Sequence, residues 1–319
     1  MRVSVLGCGR WGAFLAWYLS RCGFDVMMWG RPESQNLRRL RETRANEYLT
    51  LPEDIALTDD LAAAAAHAKT IVVSVDAQGL RDLLTKLALC GIDGKPVVLC
   101  IKGLEQRTGQ RLSIVAEETI GDASRVAVWL GPGHVQDFTA GIPGCMVIDS
   151  ANHKLTRTLC DKFSSRQLRF YYGTDIVGSE VGAAAKNVVG IAAGMLDGLR
   201  MPSLKGALMA RGTREVARLI AAMGGDALSV YGLCHLGDYE ATLFSPYSHN
   251  RQYGELFIQG KKLDRLAEGV YTTRALVTLS KKLGVDMPIA RAVYDMLFEG
   301  RTPSECFDSL FMRSRKREF

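Results

Sequence analysis

Short apolar runs alternate with helical spacings through the first half of the chain. Val3 to Leu6, Val26 to Trp29, Thr70 to Val75, Val97 to Ile101, Val126 to Leu130 and Cys145 to Ile148 are apolar almost without interruption. Strands of this kind belong to a parallel sheet covered on both faces. Ala13 to Arg21 and Leu80 to Leu89 carry the helical pattern of the crossovers between them. The spacing predicts a doubly wound α/β sheet of Rossmann type. Near Tyr172 the pattern changes, and Gly178 to Leu199, Leu204 to Met223, Thr272 to Leu283 and Ile289 to Phe298 all read as helices. The expected division is therefore residues 1–174 as a Rossmann-type α/β domain and 175–319 as an all-α domain, with no internal repeat or low-complexity linker.

Composition agrees with a folded, soluble chain: 47% of residues are hydrophobic and 23% charged. The formal charge is +6, and the tail Arg313-Ser314-Arg315-Lys316-Arg317 supplies four of those charges. A solvated end explains them better than nucleic-acid binding. The mild positive bias that remains suits an anionic cofactor and substrate. Eight cysteines fall mostly inside apolar runs without a CxxC pair, which reads as a reducing compartment with neither metal nor disulfide. The first residues already form a strand and no apolar run reaches membrane-spanning length, so the expectation is a cytoplasmic protein.

The first strand runs into Gly7-Cys8-Gly9-Arg10-Trp11-Gly12 and then a helix. Glycines also punctuate ordinary turns, but in this context they hold a dinucleotide: Gly7 allows the tight turn, Gly9 lets the pyrophosphate approach, and the helix N-terminus faces the anion. After the second strand stands Trp29-Gly30-Arg31, with no carboxylate for a ribose hydroxyl. Arg31 favours NADP(H) over NAD(H), although Glu33 is close; the alternative is a solvated loop charge.

Lys186 lies in Gly182-Ala183-Ala184-Ala185-Lys186-Asn187, where small and apolar residues give a cation no local reason to exist. Burial would bring its pKa toward the working range and make it a proton donor; the alternative is a stem that snorkels to water. Lys102 follows a strand end, where open α/β sheets bind ligands. The same holds for Gly131-Pro132-Gly133-His134, as an anion-facing turn or as a plain loop.

In these motifs, together with Leu236-Gly237-Asp238, Ala267-Glu268-Gly269-Val270-Tyr271-Thr272-Thr273 and Gly284-Val285-Asp286-Met287-Pro288-Ile289, the chain resembles the bacterial NAD(P)-dependent glycerol-3-phosphate dehydrogenases from Met1 to about Ser309. The resemblance implies reduction of dihydroxyacetone phosphate to glycerol 3-phosphate for phospholipid synthesis, with Lys186 as proton donor, Asp238 and Thr242 beside it, and Lys102 in contact with substrate. It further implies substrate contacts at Gly131, Gly133, Asn187, Ser248, His249, Asn250 and Arg251. Cofactor contacts are implied at Gly7, Gly9, Arg10, Trp11, Gly12, Arg31, Lys102, Val135, His249, Leu266 and Glu268. It is compatible with a homodimer.

Several positions depart from the family pattern. Arg10 replaces a small residue, and its guanidinium has the reach to meet a phosphate. Asp76 replaces a proline after the third of the predicted strands. His249 stands where the family has the arginine that holds the substrate phosphate; a protonated His249 can bind phosphate, Arg251 two positions on can swing in instead, and Ser248 and Asn250 remain as neutral donors. Two alternatives follow: a carboxylate-specific reductase like ketopantoate reductase, or a non-catalytic module that senses NADP(H).

Overall fold

Strand β1 (Arg2–Leu6) sets the pattern of the first domain: Val3 and Val5 point into one apolar layer and Leu6 into the other. Both layers are helical, as expected when every face of a strand is apolar. In this computed structural model, which describes residues 1–315 and 317, β1 pairs in parallel with β2 (Asp25–Trp29) and β4 (Thr70–Val73). The sheet extends to β3 (Ala56–Thr58) on one side and through β5 (Val97–Leu99), β6 (Val126–Leu130), β7 (Gly144–Asp149) and β8 (Leu168–Tyr172) on the other, in the order β3-β2-β1-β4-β5-β6-β7-β8. Of the charged tail, Lys316 lies outside the described residues.

The sheet departs from the all-parallel expectation at β7, which runs antiparallel to β6, with β8 parallel to β7. Only one five-residue helix lies between β6 and β7. It rises about 8 Å, roughly half of what a five-residue strand spans, so it cannot carry the chain back for a parallel return. The apolar runs of the sequence also miss β3 and β8. The first has three residues, and the second buries only Leu168 and Phe170.

The helices of this domain are α1 (Arg10–Arg21), α2 (Gln35–Thr43), α3 (Leu61–His67), α4 (Leu80–Ala88), α5 (Leu112–Ile120), α6 (Val135–Thr139) and α7 (His153–Phe163). The second domain is built on α8 (Ile176–Gly198), with α9 (Lys205–Ala222), α10 (His249–Ile258), α11 (Glu268–Leu283), α12 (Pro288–Phe298) and α13 (Pro303–Phe311). By length and composition α8 is apolar enough to cross a membrane, contrary to the sequence expectation. Its most apolar stretch is nevertheless 89% buried within the protein, as in the core helix of a bundle.

Two contacts fix α8. At one end the Glu180 carboxylate accepts from Ser113 N at 2.8 Å and Ser113 Oγ at 2.6 Å and pairs with Arg111 at 2.7 Å, tying α8 to the start of α5. Farther along, α8 meets α10 backbone to backbone. A Cβ on Gly194 would lie 1.8 Å from Arg251 O, and one on Gly254 would lie 2.0 Å from Ile191 O. Glycine is required there by proximity rather than by turn geometry.

Gly254→Ala is expected to push the two helices apart and destabilise the protein by roughly 1–3 kcal/mol, the usual range for overpacking. A melting curve coincident with wild type would refute the contact.

Candidate active site

The three glycines of the first turn differ in what requires them. Gly7 has φ +120°, and a Cβ there would stand 2.0 Å from Ser74 O. A Cβ on Gly12 would stand 2.0 Å from Gly7 O. A Cβ on Gly9 would meet nothing within 4 Å among the described residues beyond its chain neighbours, so the second glycine leaves open space before the N-terminus of α1. Packing of the chain explains Gly7 and Gly12, whereas the space at Gly9 fits an incoming pyrophosphate.

That space belongs to a cleft of about 840 Å³ lined by the turn with Trp11, by Arg31, Lys102, Gly133 and Asn187, and by His249, Asn250, Leu266 and Glu268. Glu268 begins α11, and its Oε1 accepts from Ala77 N at 3.3 Å. Its Oε2 is buried without a partner. Burial, with Asp76 nearby, raises its carboxyl to about 7. An orphaned carboxyl oxygen beside the cleft fits a hydrogen-bond donor of a dinucleotide. Asp76 itself caps a short turn by accepting from Gly79 N at 2.8 Å, which accounts for a carboxylate at that position.

Beside the cleft-lining residues Lys102 and Asn187, the two domains share one carboxylate. Lys102, from beyond β5, and Lys186, from the middle of α8, both bind Asp238 Oδ2, at 2.7 and 2.9 Å. Lys186 Nζ also donates to Thr242 Oγ1 at 2.5 Å, and Lys102 Nζ to Gly131 O at 2.5 Å. Asn187 Nδ2 donates to Lys102 O at 3.2 Å and holds the loop against α8. Lys186 is buried and does not snorkel. Burial lowers its pKa from 10.5 to about 8; Asp238 opposes the shift and Lys102 adds to it. An ammonium whose pKa lies near neutrality and which is fixed by two oxygens has the chemistry to give up a proton in a defined direction.

Asp238 is held by residues that the sequence reading did not identify. His235 is fully buried; its Nδ1 lies 2.9 Å from Gly182 O and its Nε2 lies 2.7 Å from Tyr239 Oη. Burial keeps the imidazole neutral, lowering its pKa to about 4. Nδ1–H therefore donates to the α8 carbonyl, Nε2 accepts from the tyrosine, and the turn bearing Asp238 is pinned to α8.

Other predicted positions are placed as follows. Arg31 is exposed at the cleft mouth, 3.4 Å from the equally exposed Glu33. Arg10 donates to Gln136 Oε1 at 3.0 Å and lies 3.2 Å from His134 Nδ1. His134 Nε2 is 2.9 Å from Ala241 O. A Cβ on Gly133, at φ +141°, would strike the Phe138 ring at 2.3 Å. Val135 is a fully buried core residue at the start of α6. Ser248 Oγ caps α10 by accepting from Arg251 N at 3.3 Å, and Asn250 Oδ1 accepts from Gly269 N at 2.9 Å. His249 Nδ1 lies 3.2 Å from Leu266 O. Burial, then Arg10, lowers its pKa, so a protonated His249 is disfavoured at neutral pH. Arg251 does not reach the cleft in this structure. Its guanidinium binds Asp197 at 2.6 Å, Glu255 at 3.1 Å and Ser245 O at 3.2 Å.

A doubly wound dinucleotide cleft closed by a helical domain that delivers a buried, carboxylate-bound lysine defines a two-domain nicotinamide-dependent dehydrogenase. The chain belongs to the NAD-dependent glycerol-3-phosphate dehydrogenase family, whose N-terminal model matches residues 2–156 and whose C-terminal model matches residues 175–308. A relative from Prosthecochloris aestuarii named glycerol-3-phosphate dehydrogenase [NAD(P)+] is 40% identical over the whole of both chains. One of the same name from Geobacillus thermodenitrificans is 37% identical over 99% of this chain and 96% of its own. A crystal structure of glycerol-3-phosphate dehydrogenase from Coxiella burnetii aligns with TM-score 0.90 and 27% identity over 98% of this chain and 99% of that one. A ketopantoate reductase from Ralstonia eutropha shares the fold at TM-score 0.64 and 15% identity, covering 93% and 97% of the two chains.

Because Lys102 depresses the Lys186 pKa, Lys102→Met is expected to raise it. The alkaline limb of the pH profile for ketone reduction should then move to higher pH, provided turnover remains measurable. An unmoved or acid-shifted limb would contradict the shared-carboxylate arrangement.

Proposed function

We propose that the chain reduces dihydroxyacetone phosphate to sn-glycerol 3-phosphate in the cytoplasm, with NADPH preferred over NADH. The reading rests on one observation above all: Lys186, lowered to about 8, is held by Thr242 and by the same Asp238 carboxylate that binds Lys102, a lining residue of the cleft that also contains the dinucleotide turn. The reduced nicotinamide, when bound, supplies the hydride. The Lys186 ammonium gives its proton to the carbonyl oxygen, and the Asp238 carboxylate stabilises the charged form before transfer. Lys102 and Asn187 line the cleft and orient the ketone. Residues 1–174 hold the cofactor, residues 175–319 carry the proton donor, and a homodimer is the assembly that family likeness suggests.

The preference for NADPH is argued from Arg31. Its contact with Glu33 is solvent-exposed and worth little, so a 2′-phosphate displaces the carboxylate at small cost.

Purified protein should oxidise NADPH on addition of dihydroxyacetone phosphate, and Lys186→Ala should lower kcat by roughly 10²–10⁴ while still binding NADPH. Wild-type turnover in that variant would remove Lys186 from its role. The sign of the pH dependence follows from the acid form being the reactant. Reduction should be fast below about pH 8 and fall above it, and oxidation of glycerol 3-phosphate should show the reverse. Arg31→Ala should raise the NADPH Kd about tenfold and leave the NADH Kd nearly unchanged. Equal shifts for both cofactors would refute the argument from Arg31.

A further inference from the structure

Two sets of cations, one reaching the cleft through Lys102 and the other through Arg10, are neutralised differently. Lys102 and Lys186 share Asp238. Arg10, the first residue of α1 and neighbour of the open Gly9, is half-buried and has no carboxylate partner among the described residues. Its guanidinium contacts His134 Nδ1 at 3.2 Å, Gln136 Oε1 at 3.0 Å, Tyr247 O at 3.5 Å and the Tyr48 ring at 5.0 Å to the centroid. All four are neutral groups, since His134 is kept uncharged by burial and by Arg10 itself. Arg265 adds a second positive charge nearby. A guanidinium keeps its charge at any working pH, and a partly desolvated one without a counterion gains strongly from an incoming anion. Its partners are also weak in kind: a side-chain amide and a long carbonyl contact yield readily to a charge-assisted, paired interaction with phosphate oxygens.

We propose that Arg10 is the phosphate receptor of this cleft, turning from Gln136 and Tyr247 to pair with a phosphate oxygen of a bound ligand. The position admits two sources of the same chemistry. One is the cofactor pyrophosphate, which approaches across Gly9. The other is the phosphate monoester of the ketone, which approaches past His249 and Asn250 on the facing wall. The second source rests on the function proposed above. The competing role is purely structural, with Arg10 strapping α1 to His134 and the Tyr247 turn.

The test uses the full chain with Arg10→Ala and Arg10→Lys. Calorimetric titrations with inorganic phosphate and inorganic pyrophosphate are joined to NADPH binding by fluorescence and to the ratio of kcat/KM for dihydroxyacetone phosphate over dihydroxyacetone. Loss of the charge should weaken at least one phosphate-bearing ligand by roughly ten- to a hundredfold, with partial recovery in Arg10→Lys. Weakened pyrophosphate and NADPH binding assigns the cofactor as source. A fallen kcat/KM ratio with NADPH binding retained assigns the substrate. A folded Arg10→Ala protein in which every value stays within about twofold of wild type overturns the proposal. If that variant does not fold, Arg10→Gln, which keeps donors for His134 and Gln136, is judged by the same criterion. Failure of the wild type to turn over dihydroxyacetone phosphate would count against the proposed function alone, because the pyrophosphate and NADPH titrations still judge Arg10.

Discussion

One carboxylate organises the molecule. Asp238 Oδ2 accepts from a lysine of the sheet domain and from a lysine of the helical domain, so a single oxygen fixes the separation of the two halves at the reaction centre. A carboxylate this buried would be costly alone; paired with two cations and supported by Thr242, it is sustained. Removing it would leave Lys186 enclosed and unpaired, a loss of about 3–5 kcal/mol unless the amine surrendered its proton. The proton donation proposed for Lys186 and the tie between the two halves therefore depend on the same pair of contacts.

The supports of that carboxylate are layered outward. His235 and Tyr239 anchor its turn to α8, Glu180 anchors α8 to the sheet domain, and Asn187 draws the Lys102 loop onto the same helix. Apart from the His235–Tyr239 contact, which spans four residues, these contacts join positions far apart in sequence. The cofactor side is organised differently. There the essential element is space, at Gly9, and an acceptor without a partner, at Glu268.

Periodicity made most of the architecture legible, because a strand buried on both faces or a long amphipathic helix writes its pattern over many residues. Strand β3 is too short to do so, β8 is half-exposed, and the reversal at β7 depends on the length of a connection rather than on any residue in the strand. Lys186 was legible because its neighbours are so uniformly small. Its pairing with Asp238 was reachable only through family resemblance, since no local signal links positions so far apart. His235, Glu180 and Arg111 left no signal at all: an isolated histidine or ion pair looks the same in sequence whether buried or solvated. Arg251 shows the opposite difficulty, since its sequence position suggested the cleft while Asp197 and Glu255 hold it elsewhere.

The contact of α8 with α10 has a consequence for how this site can change. At Gly194 and Gly254 the helices touch through main-chain atoms, so the gap between the wall that carries Lys186 and the wall that carries Asn250 is set by atoms common to every residue type. Drift among neighbouring side chains cannot widen or narrow it. Room for a larger or smaller substrate must come instead from loop residues such as Leu266, which lines the cleft outside any helix or strand. The reacting centre thus behaves as a fixed gauge, and its loops as the adjustable jaw.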